Sequence, residues 1–490
     1  MPLIPWGDYR PDVSDYQGRH TRAVQNVLPQ GDGYGPIKSL VDFTDALPAV
    51  CRGAFVALKS DGTVEIFAGT RTKLYRLDKT DLSWGNVSKG AGVTDYAVPT
   101  DDQWGFSQFG NLVVAVNVNT VPQVFDLTSS NFFADLGGSP PQARYVTVVG
   151  PHMVLSGLSG EPDRVQWSAE NDITGWTPTV NRSGQQDFGD GGVVRGVAGG
   201  EFSGIVFQDS AIRRMLFQPG SPLIFSFDRI SSNRGLIAPY ALASDDARVF
   251  FLSDQGFEML TAGASIPTPI GKERVNRTFF GDWDNAEPRM TNAVIDPAAS
   301  RVLWFYKSNS GATGLFDKAF VYDWDLDRWG RVTGITGEYV TALAQPGTSL
   351  EGLDPQFPSL DDMPLSLDDI PLAFASELAI ASSASKLGFL RGDTLEATLE
   401  TPEASGAFRR KFIRGVRPIS DAATVFGQAS FRQKISDAIA FTEEVPMNGF
   451  GLIPFRRETR MCRFRNRIPA GTSWTFSMGL EPDVTAAGER

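Results

Sequence analysis

Short apolar stretches separated by turn formers dominate the chain from residue 54 onward. AFVALK (54–59) is followed by Ser60-Asp61-Gly62, then by TVEIFAGT (63–70), TKLYRL (72–77) and a segment around Trp84. Each piece is rich in β-branched or aromatic residues and bounded by Gly, Asp or Asn, so each predicts a strand closed by a tight turn. The texture then recurs. A second unit begins at Trp104 with NLVVAVNV (111–118), a third at Tyr145 with HMVLSGL (152–158), and a fourth at Val193 with GIVFQDS (204–210). A fifth begins at Tyr240 with RVFFLSDQGFEMLTAG (248–263), and a sixth near Ala293 with RVLWFYKS (301–308) and KAFVYDWDLDRWGRV (318–332). Successive starts lie 41 to 53 residues apart. A repeat of about 40–50 residues holding about four strands predicts a β-propeller, because one four-stranded sheet has two apolar faces and radial stacking covers both. Six units are counted, and residues 339–344 with 377–391 can supply a seventh. One stretch, 272–280 (KERVNRTFF), carries a helical pattern.

The expected organisation is therefore all-β, with a propeller over 51–347 and closing strands over 377–396. Residues 1–50 are rich in turn formers and read as an extended arm that either closes the propeller or docks on a neighbour. Within it, 28–36 (LPQGDGYGP) reads as an irregular loop. Residues 348–376 read as an acidic, Pro-rich loop. They contain Ser359-Leu360-Asp361-Asp362 and then Ser366-Leu367-Asp368-Asp369, punctuated by Pro358, Pro364 and Pro371, which remove ladder donors. Over 397–490 the strands LEATLETPE, FIRGVRPIS, ATVFGQASF and GTSWTFSMGLEP alternate like those of a β-sandwich.

Charge adds a second layer. The net charge is −12, yet the basic residues cluster at the C-terminal end: Arg409, Arg410, Lys411, Arg414 and Arg417, then Arg456, Arg457, Arg460, Arg463, Arg465 and Arg467. An acidic chain lacks the positive surface that grips nucleic acid, but it suits a wall past which DNA slides without sticking. Interleaving of the arginines with Phe408, Phe412, Phe455 and Phe464 favours an inter-subunit salt-bridge surface over DNA readout. The opening MPLIPWGDYRPD has neither a basic n-region nor an apolar h-region, so no secretory signal is expected. No apolar run reaches the roughly 18 residues of a membrane span. Cys51 and Cys462 are the two cysteines; they imply no disulfide framework and fit a reducing compartment during synthesis.

Candidate chemistry is sparse. With His20 and His152 as the only histidines, a Ser–His–Asp or Cys–His device would have to use one of them, and His152 reads as a turn or edge residue. Asp323, Asp325 and Asp327 alternate in DWDLDRW, which on a strand would put all three on one face; a polar hairpin is favoured over a calcium loop, since Gly330 comes too late for the sharp turn. Gly31-Asp32-Gly33-Tyr34-Gly35 neither follows a strand nor opens a helix, which argues against a phosphate cradle. Ser60-Asp61-Gly62 and Ser253-Asp254-Gln255-Gly256 resemble the Asp-box hairpins of sialidases and are also ordinary hairpin turns. A glycosidase carboxylate pair stays open on composition alone. No enzyme activity, cofactor or metal is expected.

Several segments resemble the tail hub or nozzle proteins of short-tailed bacteriophages, including those named packaged-DNA stabilisation proteins. They are PWGDYRPDVSD (5–15), NVLPQGDGYGP (26–36), APYALASDDARVFFLSDQGFEML (238–260), PIGKERVNRTFF (269–280), VYDWDLDRWGRV (321–332) and the SLDD doublet. The resemblance implies a virion tail protein, assembled in the host cytoplasm, that forms a homohexameric ring below the portal and adaptor. It implies partners in other copies of the chain, the adaptor and portal, and distal tail or fibre proteins, and a channel that retains DNA and passes it at ejection. The contact regions expected on this reading are the arm, the loop with Asp361, Asp362, Asp368 and Asp369, and the two arginine clusters. The rival expectation is a glycan-binding or glycan-cleaving propeller acting as a receptor-binding tail component.

Overall fold

The computed structural model describes residues 3–16, 20–245, 247–344, 376–405 and 410–487. They form an all-β protein whose helical content is slight: one α-helix, Asn276–Asp282, which overlaps the stretch 272–280 that carried the helical pattern, and a single 3-10 turn at Pro288–Met290. No helix among them is long and apolar enough to cross a membrane.

Residues 54–269 fold into five consecutive four-stranded antiparallel meanders. The first comprises Ala54–Leu58, Val64–Gly69, Leu74–Leu77 and Trp84–Asn86. The next four open on Gly105–Phe109, Ala143–Val149, Val194–Ala198 and Leu242–Ser244, and the sixth on Asn292–Asp296, each within two residues of the start expected from the repeat. Second strands are buried on both faces: every residue of Val64–Gly69 and of His152–Leu158 is out of solvent. Such strands read as continuous apolar runs rather than alternating ones, which is why they stood out in the sequence. The hairpins share a device. The Asp61 carboxylate accepts from the Thr63 backbone N (2.8 Å) and hydroxyl (2.6 Å), and Asp126 with Thr128 and Asp172 with Thr174 repeat the pattern. An Asp side chain that bonds its own backbone two residues on pre-forms the turn.

The sixth and seventh meanders share one strand. Arg328–Ala344 pairs along its first half with Phe316–Asp323 and along its second half with Ser376–Ser382. The register shifts at Gly337, where a Cβ would lie 2.6 Å from Phe316 and 2.7 Å from the Ala381 carbonyl, so only glycine allows the two ladders to part there. Leu387–Phe389 follows, and the outermost strand of the seventh meander is Val41–Asp42, from the other end of the chain.

Apolar side chains between the meanders sort into discrete clusters. Phe67 and Trp104 join the first meander to the second, Val114 and Leu155 the second to the third, Val154 and Val206 the third to the fourth, and Phe207 and Phe251 the fourth to the fifth. Phe257 and Trp304 join the fifth to the sixth, and Phe305 and Ile380 the sixth to the seventh. A further cluster, with Ile66, Ala68, Ala379 and Phe389, joins the seventh back to the first.

The C-terminal part consists of two sheets. One runs in the order Val27–Gln30, Gly33–Pro36, Ser477–Ala486, Lys411–Ser420, Ile453–Thr459, with Ile4–Pro5 also on Ser477–Ala486. The other runs Ala23–Gln25, Ala397–Glu400, Met461–Ile468, Phe426–Arg432, Val445–Pro446, with Ala404–Ser405 on Met461–Ile468. Both are completed by the first 36 residues, so the segment expected as an extended arm supplies strands to each sheet. The stretch 28–36, expected as an irregular loop, is a two-stranded hairpin turning at Gly31-Asp32. Its glycines serve close approach: a Cβ on Gly33 would sit 2.0 Å from the Ser477 carbonyl. Trp6, Val24, Val27 and Tyr34 belong to one buried cluster with Ile413, Ile453 and Phe464 of the sheets and Phe257, Trp304 and Trp329 of the fifth and sixth meanders. The N-terminal segment thus fills the joint between the two parts of the molecule.

Candidate functional site

A cavity of about 260 Å³ opens where the first strands of six meanders converge. Its lining includes Trp104, Gly105 and Phe106 of the second meander, Arg144 and Tyr145 of the third, Gly196 of the fourth, Tyr240 beside the fifth, Asn292 of the sixth and Tyr339 of the seventh. The strap 99–104, which links the first meander to the second, forms one wall and reaches across to the others.

The strap is fixed by groups far apart in sequence. Trp104 N donates to Arg52 O at 2.7 Å, and Arg52 Nη1 donates to Thr100 O (2.8 Å) and Asp102 O (3.1 Å). Gln103 N donates to Tyr240 Oη at 2.8 Å, while its Nε2 donates to Arg289 O and Asn292 Oδ1, both at 3.0 Å. Tyr240 Oη in turn donates to Asp102 Oδ1. The Arg144 guanidinium stands 3.4 Å from Asp102 Oδ2 and 3.8 Å from Asp101. Two acceptors stay without a hydrogen-bond partner despite full burial: Asp102 Oδ2 and Gln103 Oε1. Burial pushes the Asp102 carboxyl above its ordinary value, with the Tyr240 hydroxyl and Arg144 opposing the shift. Burial, followed by the Asp102 charge, raises the Tyr240 hydroxyl far above the usual tyrosine value. Sequence reasoning did not single out Asp102, Gln103, Arg144 or Tyr240. The only local signal was the polar run Asp101-Asp102-Gln103 ahead of a buried Trp104, and nothing in it named partners 137 to 189 residues away.

The residues singled out from sequence scatter. His152 is fully buried at the start of a central strand, its Nδ1 2.8 Å from Ser168 O and its ring against Phe217 and Phe225, and desolvation lowers its pKa. This corrects its reading as a turn or edge histidine: the strand begins at His152 itself, so the ring points into an inter-meander cluster. Asp323, Asp325 and Asp327 do not share a face. The strand ends at Asp323, which pairs with Arg301, and Asp327 takes a left-handed φ of 52° and accepts from Arg274 and Tyr322. Cys51 and Cys462 are both buried, and burial pushes each thiol up to about 12.

The C-terminal arginines divide into two sets. Arg463 and Arg465 are spent inside the chain. Arg463 donates to Glu400 at 2.9 Å and to Asp15, and Arg465 donates to Glu400 at 2.8 and 2.9 Å with its guanidinium 3.9 Å above the Phe441 ring. Their donors therefore already face internal carboxylates. Arg460 and Lys411 are half-buried. Arg410 is half-buried too, with Glu458 3.5 Å away, while Arg414, Arg456 and Arg457 remain exposed, with Asp483 3.9 Å from Arg414. Asp361, Asp362, Asp368, Asp369 and Arg409 lie outside the described residues. Residues 397–490 hold 14 Lys and Arg against 10 Asp and Glu, a net of +4, which leaves −16 for residues 1–396.

No protein-family model matches the chain, and no curated protein matches it. Among solved structures it is similar to the extracellular domain of the putative one component system BT4673 from B. thetaiotaomicron, at 9% identity and a TM-score of 0.44, over 78% of this chain and 43% of that one. The chain thus spans less than half of that protein's length. It is also similar to a chain of the Mitotic Checkpoint Complex, at 9% identity and a TM-score of 0.40, over 74% of this chain and 96% of that one. YCF48 bound to D1 peptide matches at 11% identity and a TM-score of 0.33, over 60% of this chain and 86% of that one. The all-β architecture of many small sheets rests on the strand pairing itself.

Proposed function

We propose that this chain is a structural protein of a short-tailed bacteriophage virion, a tail hub or nozzle subunit built as a seven-bladed β-propeller with a C-terminal β-sandwich. The observation that carries the propeller is the apolar cluster between the seventh meander and the first, which leaves each of the seven meanders covered on both faces. Its last blade closes with Val41–Asp42, so the two ends of the propeller segment are held in one sheet. The same N-terminal segment then ties the sandwich to the fifth and sixth blades through one buried cluster. A body so braced suits load transmission between neighbours.

In this reading copies form a homohexameric ring below the portal and adaptor and carry distal tail or fibre proteins. DNA is retained after packaging and passes through the ring at ejection. The passage lies between copies rather than through one propeller, because the strap with Gln103, bonded to Tyr240 and Asn292, crosses the axis of the single chain. A net charge of −12 per chain favours passage without adhesion. The contrast between a +4 sandwich and a −16 remainder supports head-to-tail contact of unlike faces, with Arg410, Arg414, Arg456 and Arg457 on the basic side. Light scattering of the purified chain and an electron-microscopy map of the particle that contains it test the proposal. A ring seated under a portal is expected; a monomer at all concentrations that is absent from purified virions would sink it.

A further inference from the structure

The outermost strand of the first C-terminal sheet, Ile453–Thr459, pairs with Lys411–Ser420 along one edge, and no described strand pairs with its other edge. The register slips between Ile413 and Gly415, opposite Arg456, whose φ is a left-handed 52°. A bulge of this kind adds a residue to one strand and kinks it. Here Arg456 and Arg457 are both exposed, and neither has a carboxylate partner among the described residues. The turn that leads into the strand holds a phenyl ring in water. Asn448 Oδ1 accepts from Phe450 N (3.0 Å) and Leu452 N (3.1 Å), and Phe450 is 90% exposed. Beside it lies a groove of about 400 Å³ with Phe450, Leu452, Pro482 and Val484 in its walls. The acids of that groove already face arginines, Glu481 with Arg417 at 3.7 Å and Asp483 with Arg414 at 3.9 Å. Ile413 pairs with both Arg457 and Val484, so the groove and the two free arginines belong to one sheet.

Charged residues on an edge strand deter stray strand pairing, but that task needs neither an exposed phenylalanine nor a groove. Chemistry narrows the occupant. A nucleic acid would neutralise the arginines and leave the ring and the groove in water. A purely apolar partner would cover the ring and leave two cations unpaired. What fits is a chain that is acidic, apolar and free of cations. Residues 345–375 have that composition: six carboxylates, no Lys or Arg, and Leu353, Phe357, Leu360, Leu367 and Ile370 among them. Their five prolines withhold backbone donors, so side chains have to carry the contact. The segment leaves and re-enters the seventh meander at the paired residues Ala344 and Ser376. Its 31 residues, out and back, can reach roughly 50 Å at full extension, far enough to meet a neighbouring copy.

We infer that residues 345–375 of one copy dock on the edge strand Ile453–Thr459 of the next, with carboxylates on Arg456 and Arg457 and apolar side chains in the groove beside Phe450. This rests on the ring reading above and supplies its head-to-tail contact, because the two surfaces differ and each copy carries both.

Charge reversal in the full chain, read by light scattering, tests this. One variant carries Arg456→Glu and Arg457→Glu; the other carries Asp361→Lys, Asp362→Lys, Asp368→Lys and Asp369→Lys. Each alone is expected to be monomeric, since segment and edge then have the same sign. Mixed one to one they should assemble again, because each supplies the segment that the other's edge attracts. Phe450→Ser should weaken assembly of the otherwise natural chain roughly tenfold with no change in melting temperature, since the ring is exposed. Rings that persist in either charge variant leave the ring reading in place and overturn this inference alone. A mixture that stays monomeric also overturns it, since the segment then does not dock between copies. A natural chain that is monomeric at every concentration sinks the ring reading and this contact with it.

Discussion

The seventh meander and the C-terminal sheet pair both borrow strands from the first fifty residues, but they hold them by different physics. The meander takes Val41–Asp42, a two-residue strand exposed to solvent, through backbone bonds from Phe43 and Thr44 to Leu387 O and one edge contact between the Phe43 and Phe389 rings at 5.3 Å. The sheet pair takes four strands whose side chains are core: Trp6 is 2% exposed and donates from Nε1 to Ser477 Oγ at 2.9 Å, and Tyr34 is fully buried. It also locks residues 15–16 with buried ions. Arg432 pairs with Glu403, which accepts from Tyr16 Oη at 2.7 Å, and Arg463 bridges Glu400 and Asp15. Between meanders, by contrast, the joints are apolar clusters. Apolar joints tolerate changes that keep volume. A buried ion lattice accepts only its own partners, so it fixes where the segment enters.

The largest way to break this contrast is to remove residues 3–36. The sheet pair then loses strands from both sheets and part of its core, and the chain is expected to be insoluble, whereas removing only residues 41–42 should leave soluble protein; fractionation after expression reads the difference. Next in size, Glu403→Ala leaves Arg432 buried without its partner and is expected to cost about 3–5 kcal/mol, measured by urea denaturation. The double variant Glu403→Leu with Arg432→Met should recover most of that loss, and failure to do so would show that the ions supply more than mutual neutralisation. Smaller again, Phe43→Ala at the closing strand should cost about 2 kcal/mol, since the ring is only partly buried.

The smallest expected effect is a redistribution with pH. Burial pushes the Glu403 carboxyl up, but hydrogen bonds from Arg432 and Tyr16 outweigh it and hold the group below the usual glutamate value. The stability it contributes is therefore present above the ordinary glutamate pKa and is lost as pH falls through the lowered folded value. Asp102 and Glu338 in the meanders run the other way. Burial raises both, so their contribution is present below the ordinary carboxylate values and is lost as pH rises through the raised folded ones. Hydrogen exchange followed by mass spectrometry should show the sheet pair loosening first on acidification. Meanders that open first in acid would reverse the comparison.

Much of the meander region was legible because its information is local. Most second and third strands of the meanders are short runs rich in apolar residues, and several hairpins carry their own turn chemistry, as at Asp61 and Thr63. The repeat spacing followed from those two features alone. The N-terminal segment was not legible in the same way. Glycines 31, 33 and 35 signal a loop when read locally, yet Gly33 is required by the Ser477 carbonyl 444 residues away. The arginine clusters were visible as composition, but which arginines face inward was set by Glu400, Glu403 and Asp15, and no spacing rule links those positions.

The cavity among the inner strands lay furthest from sequence reasoning. Asp102 with Gln103, Arg144, Tyr240 and Asn292 come from four different places in the chain, and each alone is an ordinary polar residue. The sequence by itself determined short strands, tight turns and a period, because those depend on neighbours a few residues apart. Only the tertiary structure decided which strands the first fifty residues join, which charges are buried, and which polar atoms meet unpaired, because burial and distance exist only once remote segments pack together.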